Sequence, residues 1–268
     1  MRHLPAGSQA PAEPLALDEF ERELAGVDLT SADALWAARD LLRRLGADPG
    51  RLAATLAREV ADDPRGFQRH NRYEAHTLIL AARERYLLRV NLWVPLGGAF
   101  VGDASDFSYG VAHNHNFHLL TLGLSGEGYE TDLFELAEAA ELLAPEQRVT
   151  LAPRGRARLG AGDVMLYEAY RDVHVQHPSR ELSASLNLMT VPAVEHLPQH
   201  IFDIERRVVA STIEASPDGR HHLARAALDL LSREEGEAAL RALAADDPSP
   251  RVRAAARRAL NSTSSPRS

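Results

Sequence analysis

The spacing of apolar residues changes twice along this 268-residue chain, and the change limits its fold more than any other feature. Between residues 15 and 61, apolar residues recur every three or four positions, which is the period of an amphipathic helix. Between about 72 and 192 the apolar segments are short and rich in β-branched and aromatic residues, which indicates strands. The helical period returns from residue 201. A β domain between two helical segments is therefore predicted.

The same pattern, together with runs of proline and small polar residues, sets the predicted segment boundaries. We predict a disordered tail at 1–14, a helical segment at 15–68, a β barrel at 69–200, a helical cap at 201–262 and a disordered tail at 263–268. Part of the cap, "LAADDPSPRVRAAARRAL", resembles the latter part of a HEAT repeat. Because a solenoid needs about three such units, a single copy predicts a cap that packs on the barrel or on a partner chain, for instance in a homodimer.

The composition excludes several kinds of chemistry. The formal net charge is −8, which gives no electrostatic reason to expect a nucleic-acid partner. The chain contains no cysteine and no lysine, so disulfides, thiolate ligands and lysine Schiff bases are excluded. No apolar run is long enough to suggest a signal peptide or a membrane span, and a soluble cytoplasmic protein is expected.

A histidine-rich stretch, "HNHNFH", begins at His113. His113 and His115 are two residues apart, so a strand would place both imidazoles on one face, where they could begin a transition-metal site. The alternative interpretation is a polar surface loop. About sixty residues later His174 lies at the start of another predicted strand, and His177 competes with it as a third ligand. His118 is expected on the opposite strand face, as a supporting or surface residue.

The two histidine-bearing segments resemble the two sequence motifs of the cupin barrel, a double-stranded β-helix. The first cupin motif supplies HxH and often a Glu four residues after the second histidine, but this chain has Leu119 there. A cupin with three histidines and no carboxylate resembles the thiol dioxygenases, typified by cysteine dioxygenase. The resemblance implies a mainly β cupin fold and a metal held by His113, His115 and His174.

Further short elements between about residues 40 and 192 are similar to that family. They are the Asp63–Phe67 element "DPRGF", the segment "NLWVPLGG", the spacing from His115 to Gly126, the segment "GEGYETDLFE" and the segment "DVHVQHPS". The resemblance implies a non-haem Fe(II) centre, with Zn, Ni or Mn as alternatives. It also implies O₂ and a small or peptide-borne acidic or thiol substrate as the reaction partners.

The chain departs from the family at a Ser-His-Tyr relay, written SxHxY. Ser185 is present, but Asn187 and Met189 stand where the His and Tyr would be. Free cysteine is therefore not the expected substrate. In the family an arginine on an early strand binds the substrate carboxylate, and Arg72 and Arg89 are the candidates here.

Other side chains leave two interpretations open. Arg89, Asn91 and Trp93 share one face of a predicted strand, which faces either solvent or a pocket. Tyr167 and Tyr170 could replace the relay tyrosine, although core packing is expected.

We predict an Fe(II) oxygenase with Arg89, Arg72 and His118 as candidate catalytic residues. One alternative is a non-catalytic metal- or small-molecule-binding cupin whose helical tail contacts other proteins, and another is a redox-silent Zn or Ni cupin enzyme. None of these hypotheses includes a nucleic acid or a membrane as a partner.

Overall fold

The structure is a computed structural model. It describes residues 1–8, 13–69, 71, 76–96, 108–139, 143–191, 198–213, 233–246, 253, 256–257 and 259–261. The described helices are α1 Leu17–Leu24, α2 Ala32–Ala37, α3 Arg39–Gly46, α4 Pro49–Asp62 and α5 Arg233–Asp246. The described strands are β1 Arg2–Leu4, β2 Thr77–Ala82, β3 Tyr86–Trp93, β4 Ala112–Asn114, β5 Leu119–Ser125, β6 Tyr129–Leu136, β7 Leu151–Leu159, β8 Val164–Tyr167, β9 Asp172–Gln176, β10 Ser183–Thr190, β11 Gln199–Asp203 and β12 Val208–Ile213.

The described strands form two six-stranded antiparallel sheets. The first sheet has the order β1-β8-β5-β10-β3-β2, and the second has the order β12-β11-β4-β9-β6-β7. Strands that are distant in sequence are therefore neighbours, as with β4 and β9 or β5 and β10. The predicted mainly β architecture, with helices before and after it in the sequence, is confirmed.

The N-terminal helices cover the outer face of the first sheet. Ser31 caps α2 by accepting a hydrogen bond from the Ala34 amide, and Asp48 caps α4 in the same way, with Pro49 as its first residue. α3 lies so close to β5 that a Cβ on Gly46 would be 2.3 Å from Leu122 Cδ2. The helices thus bury a face that would otherwise expose a row of branched side chains.

Alternation along the strands of the first sheet separates the helix-facing side from the side that faces the second sheet. Leu88 and Val90 of β3 join the core under the helices. Trp93 instead packs against Tyr129 of the second sheet, with ring centroids 4.2 Å apart. Because residues two apart share a face, Arg89 and Asn91 lie on the inner side with Trp93. This face of β3, with Arg89, Asn91 and Trp93, therefore lies towards the space between the sheets and not towards solvent.

The loop "SGEG" carries the chain from the first sheet to the second, between β5 and β6. Gly126 and Gly128 both have a φ of +76°, in the region that favours glycine. A Cβ on Gly128 would be 1.7 Å from the carbonyl oxygen of Leu159. The turn therefore requires glycine at this position.

Two predicted boundaries were wrong. Residues 2–4 are not a disordered tail, because they form β1 and pair with β8 through the main chain, which needs few apolar side chains. The helical cap does not begin at 201, because β11 and β12 occupy 199–213. Val209 of β12 is fully buried and packs with Phe202, so tertiary burial favours a strand there.

The helical character of the later segment is present from residue 233. Leu240 of α5 and Ala256 are fully buried against each other, and residues 253, 256–257 and 259–261 are also helical. Residues 214–232 of the predicted cap lie outside the described residues, and the docking of the cap stays a prediction. Within the described chain, no helix combines the length and apolarity needed to cross a membrane.

Replacing Leu42 by Ala should destabilise the protein. Leu42 is fully buried in the core between α3 and the first sheet. Because truncation leaves a cavity, the free energy of unfolding should fall by about 2–5 kcal/mol, measured by urea denaturation. The control is Val60→Ala on α4, where the side chain is 40% exposed. Equal losses for the two variants would contradict the packing described here.

Candidate metal centre

Three histidines meet in the second sheet at the junction of β4 and β9. His113 of β4 is directly opposite His174 of β9 in the antiparallel register, and His115 follows just after β4. The ring centroids of His113 and His174 are 4.3 Å apart, and His115 is 5.0 Å from each. Each histidine offers one ring nitrogen within 4.8 Å of the others. This three-histidine cluster has the spacing of a metal-binding site.

The cluster is deeply buried and its imidazoles are neutral. His174 has no exposed surface, whereas His113 and His115 are 9% and 8% exposed. Burial lowers the pKa of His115 to about 3, and repulsion from His113 when that ring is protonated acts in the same direction. Burial likewise lowers the pKa of His113 and brings that of His174 well below its usual value. Neutral imidazole is the form that binds a metal.

Two of the three rings are oriented by hydrogen bonds on their outer nitrogen. His113 Nδ1 is 3.0 Å from the Val111 carbonyl oxygen, and His115 Nδ1 is 3.0 Å from Gln199 Oε1. Because both partners are acceptors, each Nδ1 carries the proton and donates it. Each Nε2 then has a free lone pair, which is the arrangement of metal-binding histidines.

His174 differs from the other two histidines. Both of its ring nitrogens are fully buried, and neither has a hydrogen-bond partner within the described part of the chain. An unsatisfied buried polar group costs about 1–3 kcal/mol, so such a residue calls for a partner. A cation between the three rings would provide that partner. The residues present therefore fit a metal of the iron, zinc or nickel type, which imidazole ligands suit.

No Asp or Glu of the described residues joins the cluster. Leu119, at the position where many cupins have a Glu ligand, is buried in the apolar cluster that contains Trp93 and Met189. A cation held here would therefore receive no negative charge from its histidine ligands.

The structure separates His177 and His118 from the three-histidine cluster. His177 Nε2 is 2.8 Å from Asp132 Oδ2, beside Arg156, on the partly exposed side of the second sheet. His118 Nδ1 accepts a hydrogen bond from the Ala169 amide at 3.1 Å. His174 is therefore the histidine that lies with the HxH pair. The ligand roles, and a catalytic role for His118, stay predictions.

The two candidate arginines have different outcomes. Arg89 is half-buried on the inner face of β3, and its charge adds to burial in lowering the pKa of His113 and His115. Arg72 lies outside the described residues, so its assignment stays a prediction.

One buried tyrosine, Tyr167, lies beside His174, and a second, Tyr129, lies next to Tyr167. The Tyr167 ring centroid is 4.5 Å from that of His174, and the Tyr129 hydroxyl lies near the side chains of Gln176 and Tyr167. Burial raises the pKa of Tyr129 to about 12 and that of Tyr167 well above 10. Both phenols are therefore neutral and keep a proton to donate. Tyr170 contributes differently, through a main-chain amide that donates to the His115 carbonyl at 2.7 Å.

The residues at the relay positions all face the inner side but form a different network. Trp93 Nε1 donates to Ser185 Oγ at 2.9 Å, and Thr121 donates to the Asn187 side-chain carbonyl. Met189 packs in the apolar cluster with Trp93. No residue of this network titrates near neutral pH, so it fixes side chains and does not move protons.

No protein-family model matches the chain, and no curated protein matches it. Among solved structures it is similar to hydroquinone 1,2-dioxygenase from Sphingomonas sp. TTNP3, at 12% identity and a TM-score of 0.30, covering 45% of this chain and 68% of that one. It is also similar to the DMSP lyase DddQ from Ruegeria pomeroyi DSS-3, at 13% identity and a TM-score of 0.26, covering 42% of this chain and 45% of that one.

A cupin domain from Bordetella pertussis Tohama I gives 14% identity and a TM-score of 0.26, covering 45% of this chain and 96% of that one. The chain thus spans less than half of the lyase structure. Similarity at these scores carries no argument about activity.

Single histidine substitutions should separate ligands from neighbours. We expect His115→Ala and His174→Ala to lose stoichiometric metal, because each removes one nitrogen of the cluster. His177→Ala should keep the metal, because His177 is paired with Asp132. Metal content is measured by mass spectrometry after loading and desalting. Loss of metal in His177→Ala with retention in His174→Ala would refute the assignment of His174.

The buried histidines should make the metal-free protein sensitive to acid. In the unfolded chain a histidine takes up its proton near pH 6.5, whereas folded His115 does so at about pH 3. Because the unfolded state binds more protons in this window, stability should fall as the pH falls from 6.5 towards 3. The limit is about 1.4 kcal/mol per pH unit for each histidine.

The matched variant for this measurement is His115→Gln, which cannot take up the proton. Its free energy of unfolding, followed by urea titration between pH 6.5 and 4.5, should decline less steeply than that of the wild type. Equal slopes would mean that His115 is already protonated in the folded protein.

Proposed function

We propose that this protein is a metal-dependent cupin oxygenase. His113, His115 and His174 hold a non-haem Fe(II), and the substrate is a small or peptide-borne acidic or thiol compound that is oxidised with O₂. The observation that carries the proposal is the buried cluster of three neutral imidazoles, in which His174 has no other partner among the described residues.

The charge of the centre favours an anionic ligand. Three neutral imidazoles leave the full charge of a divalent cation uncompensated, and Arg89 adds a further positive charge nearby. In the low dielectric of a buried site these charges act strongly on a ligand. A thiolate, enolate or carboxylate that chelates the metal satisfies this requirement. An iron held by these three histidines would supply the redox chemistry by which such a ligand reacts with O₂.

The chain's own residues give the ligand an orientation. Arg89 is always charged and its guanidinium can pair with a second acidic group through two parallel hydrogen bonds. Tyr167 presents a neutral phenol whose ring lies beside His174, and Tyr129 lies next to Tyr167; a phenol can donate a hydrogen bond to an oxygen or sulfur of the ligand. Trp93, Leu119 and Met189 are buried in the same apolar cluster as Tyr167, and this packing would limit the access of water to a ligand beside His174.

The proposal is tested by loading the protein with Fe(II) without oxygen and adding candidate chelators. Cysteine, 3-mercaptopropionate and small dicarboxylates are compared by the change in the metal spectrum and then by O₂ consumption. We expect an acidic chelator other than cysteine to change the spectrum and to start O₂ uptake. A fully loaded protein that consumes no O₂ with any of them would favour the alternative, a non-catalytic binding cupin.

Arg89→Met supplies the second arm of this experiment. It should keep the metal but weaken binding of the acidic chelator about tenfold or more, because a hydrogen bond to a charged group contributes about 1.5–3 kcal/mol. Arg58→Met, on the exposed side of α4, is the control and should bind the chelator like the wild type. If Arg89→Met binds the chelator with the affinity of the wild type, Arg89 does not contact this ligand.

A further inference from the structure

Gln199 contacts the three-histidine cluster, and it was not identified from the sequence. It is the first residue of β11, and its Oε1 is 3.0 Å from His115 Nδ1. The contact joins side chains 84 positions apart. Among the described residues, this contact is a hydrogen bond of the His115 ring itself, so the orientation of that ring depends on Gln199.

The surrounding main chain fixes both partners of this contact. β11 pairs with β4 through Ile201 opposite His113. The His200 amide donates to Asn114 Oδ1 at 2.7 Å, and the Tyr170 amide donates to the His115 carbonyl at 2.7 Å. Gln199, at the start of β11, and His115, just after β4, are therefore held in place by strands that are hydrogen-bonded to each other. The main-chain hydrogen bonds around the two residues therefore fix the geometry of the hydrogen bond between their side chains.

The amide of Gln199 selects one tautomer of His115. With Oε1 towards the ring, Nδ1 must carry the proton and Nε2 keeps its lone pair for a cation. If the amide nitrogen faced the ring, Nδ1 would have to accept and Nε2 would carry the proton, which would block metal binding. The orientation of the Gln199 amide thus determines whether His115 Nε2 has a lone pair that can bind a metal.

The partner of His115 is also uncharged. Metal-binding histidines often donate their outer N–H to a carboxylate, which makes the imidazole a stronger donor and adds negative charge near the metal. Here the acceptors on His113 and His115 are a peptide carbonyl and an amide. The orientation is secured without reducing the positive charge that attracts an anion.

We propose that Gln199 is the positioning residue of the metal centre: it holds His115 in the metal-binding tautomer through a neutral acceptor and so preserves the affinity of the bound metal for anionic ligands. This inference rests on the metal centre of the proposed function. It does not depend on which substrate is oxidised.

The experiment measures metal affinity and anion affinity separately, with Co(II) as a spectroscopic metal and azide as a simple anion. Gln199→Met keeps the side-chain length but removes the amide acceptor. We expect Co(II) affinity, determined by competition with a chelator, to fall about 10- to 100-fold. Gln199→Glu keeps an acceptor, so Co(II) affinity should equal or exceed that of the wild type, while azide affinity should fall several-fold.

Gln147→Met is the matched control, since Gln147 is also half-buried and its Oε1 accepts one hydrogen bond, from the Ala144 amide. It should change neither affinity. Gln199→Met that binds Co(II) within twofold of the wild type would overturn the proposal, and so would an equal loss in Gln147→Met. Unchanged azide affinity in Gln199→Glu would overturn the charge part of it, even if Gln199→Met failed to fold.

The two proposals fail in different ways. Wild-type protein that binds no Co(II), Fe(II) or Zn(II) would refute the metal centre and this inference with it. Wild-type protein that binds metal, together with unaffected Gln199 variants, would refute the role of Gln199 and leave the metal centre intact.

Discussion

The antiparallel pairing of β4 with β9 is the interaction on which the site depends. It places His113 opposite His174, and the two-residue period of the strand brings His115 to the same face. A register shift of one residue would turn His174 to the other face of the sheet. Residues on either side resist such a shift, because β6 pairs with β9 through Leu133 opposite His174 and β11 pairs with β4. The histidine cluster is therefore as well defined as the sheet itself.

Burial of the first sheet on both faces gives the inner side its chemical character. The helices α1 to α3 take up the branched side chains on the outer face, so the inner face need not be uniformly apolar. It carries Arg89, Ser185 and Asn187 next to Trp93 and Met189. Ser185 and Asn187 are hydrogen-bonded across strands, to Trp93 and Thr121 respectively. The polar interior is thus stable because the apolar burial that stabilises the sheet occurs elsewhere.

The parts of the site that follow a local pattern could be predicted, and the parts that depend on long-range pairing could not. The HxH pair is visible because its spacing matches the strand period, and the mainly β core is visible in the change of apolar spacing. Gln199 carried no local signal, since a glutamine next to a histidine in sequence is ordinary and its partner is 84 positions away. β11 and β12 were predicted to be helical because the charged segment "DIERR" between them interrupts the apolar pattern, so that the burial of Val208 and Val209 was not apparent from the sequence. The sequence did not show on which side of the sheet Arg89 lies, or that Tyr129 and Tyr167 are neighbours, because both depend on how the strands pair.

The unequal exposure of the three histidines has a consequence for how a cation reaches the centre. His113 and His115 retain a small accessible surface, whereas His174 has none. A cation that arrives from solvent therefore meets the HxH pair first, and it must give up most of its hydration shell before the third nitrogen can bind. Mg²⁺ loses water reluctantly and prefers oxygen donors, so a centre formed by these three histidines, as proposed, would disfavour it. In the proposed centre, the full burial of His174 would thus favour metal ions that exchange water for nitrogen ligands readily.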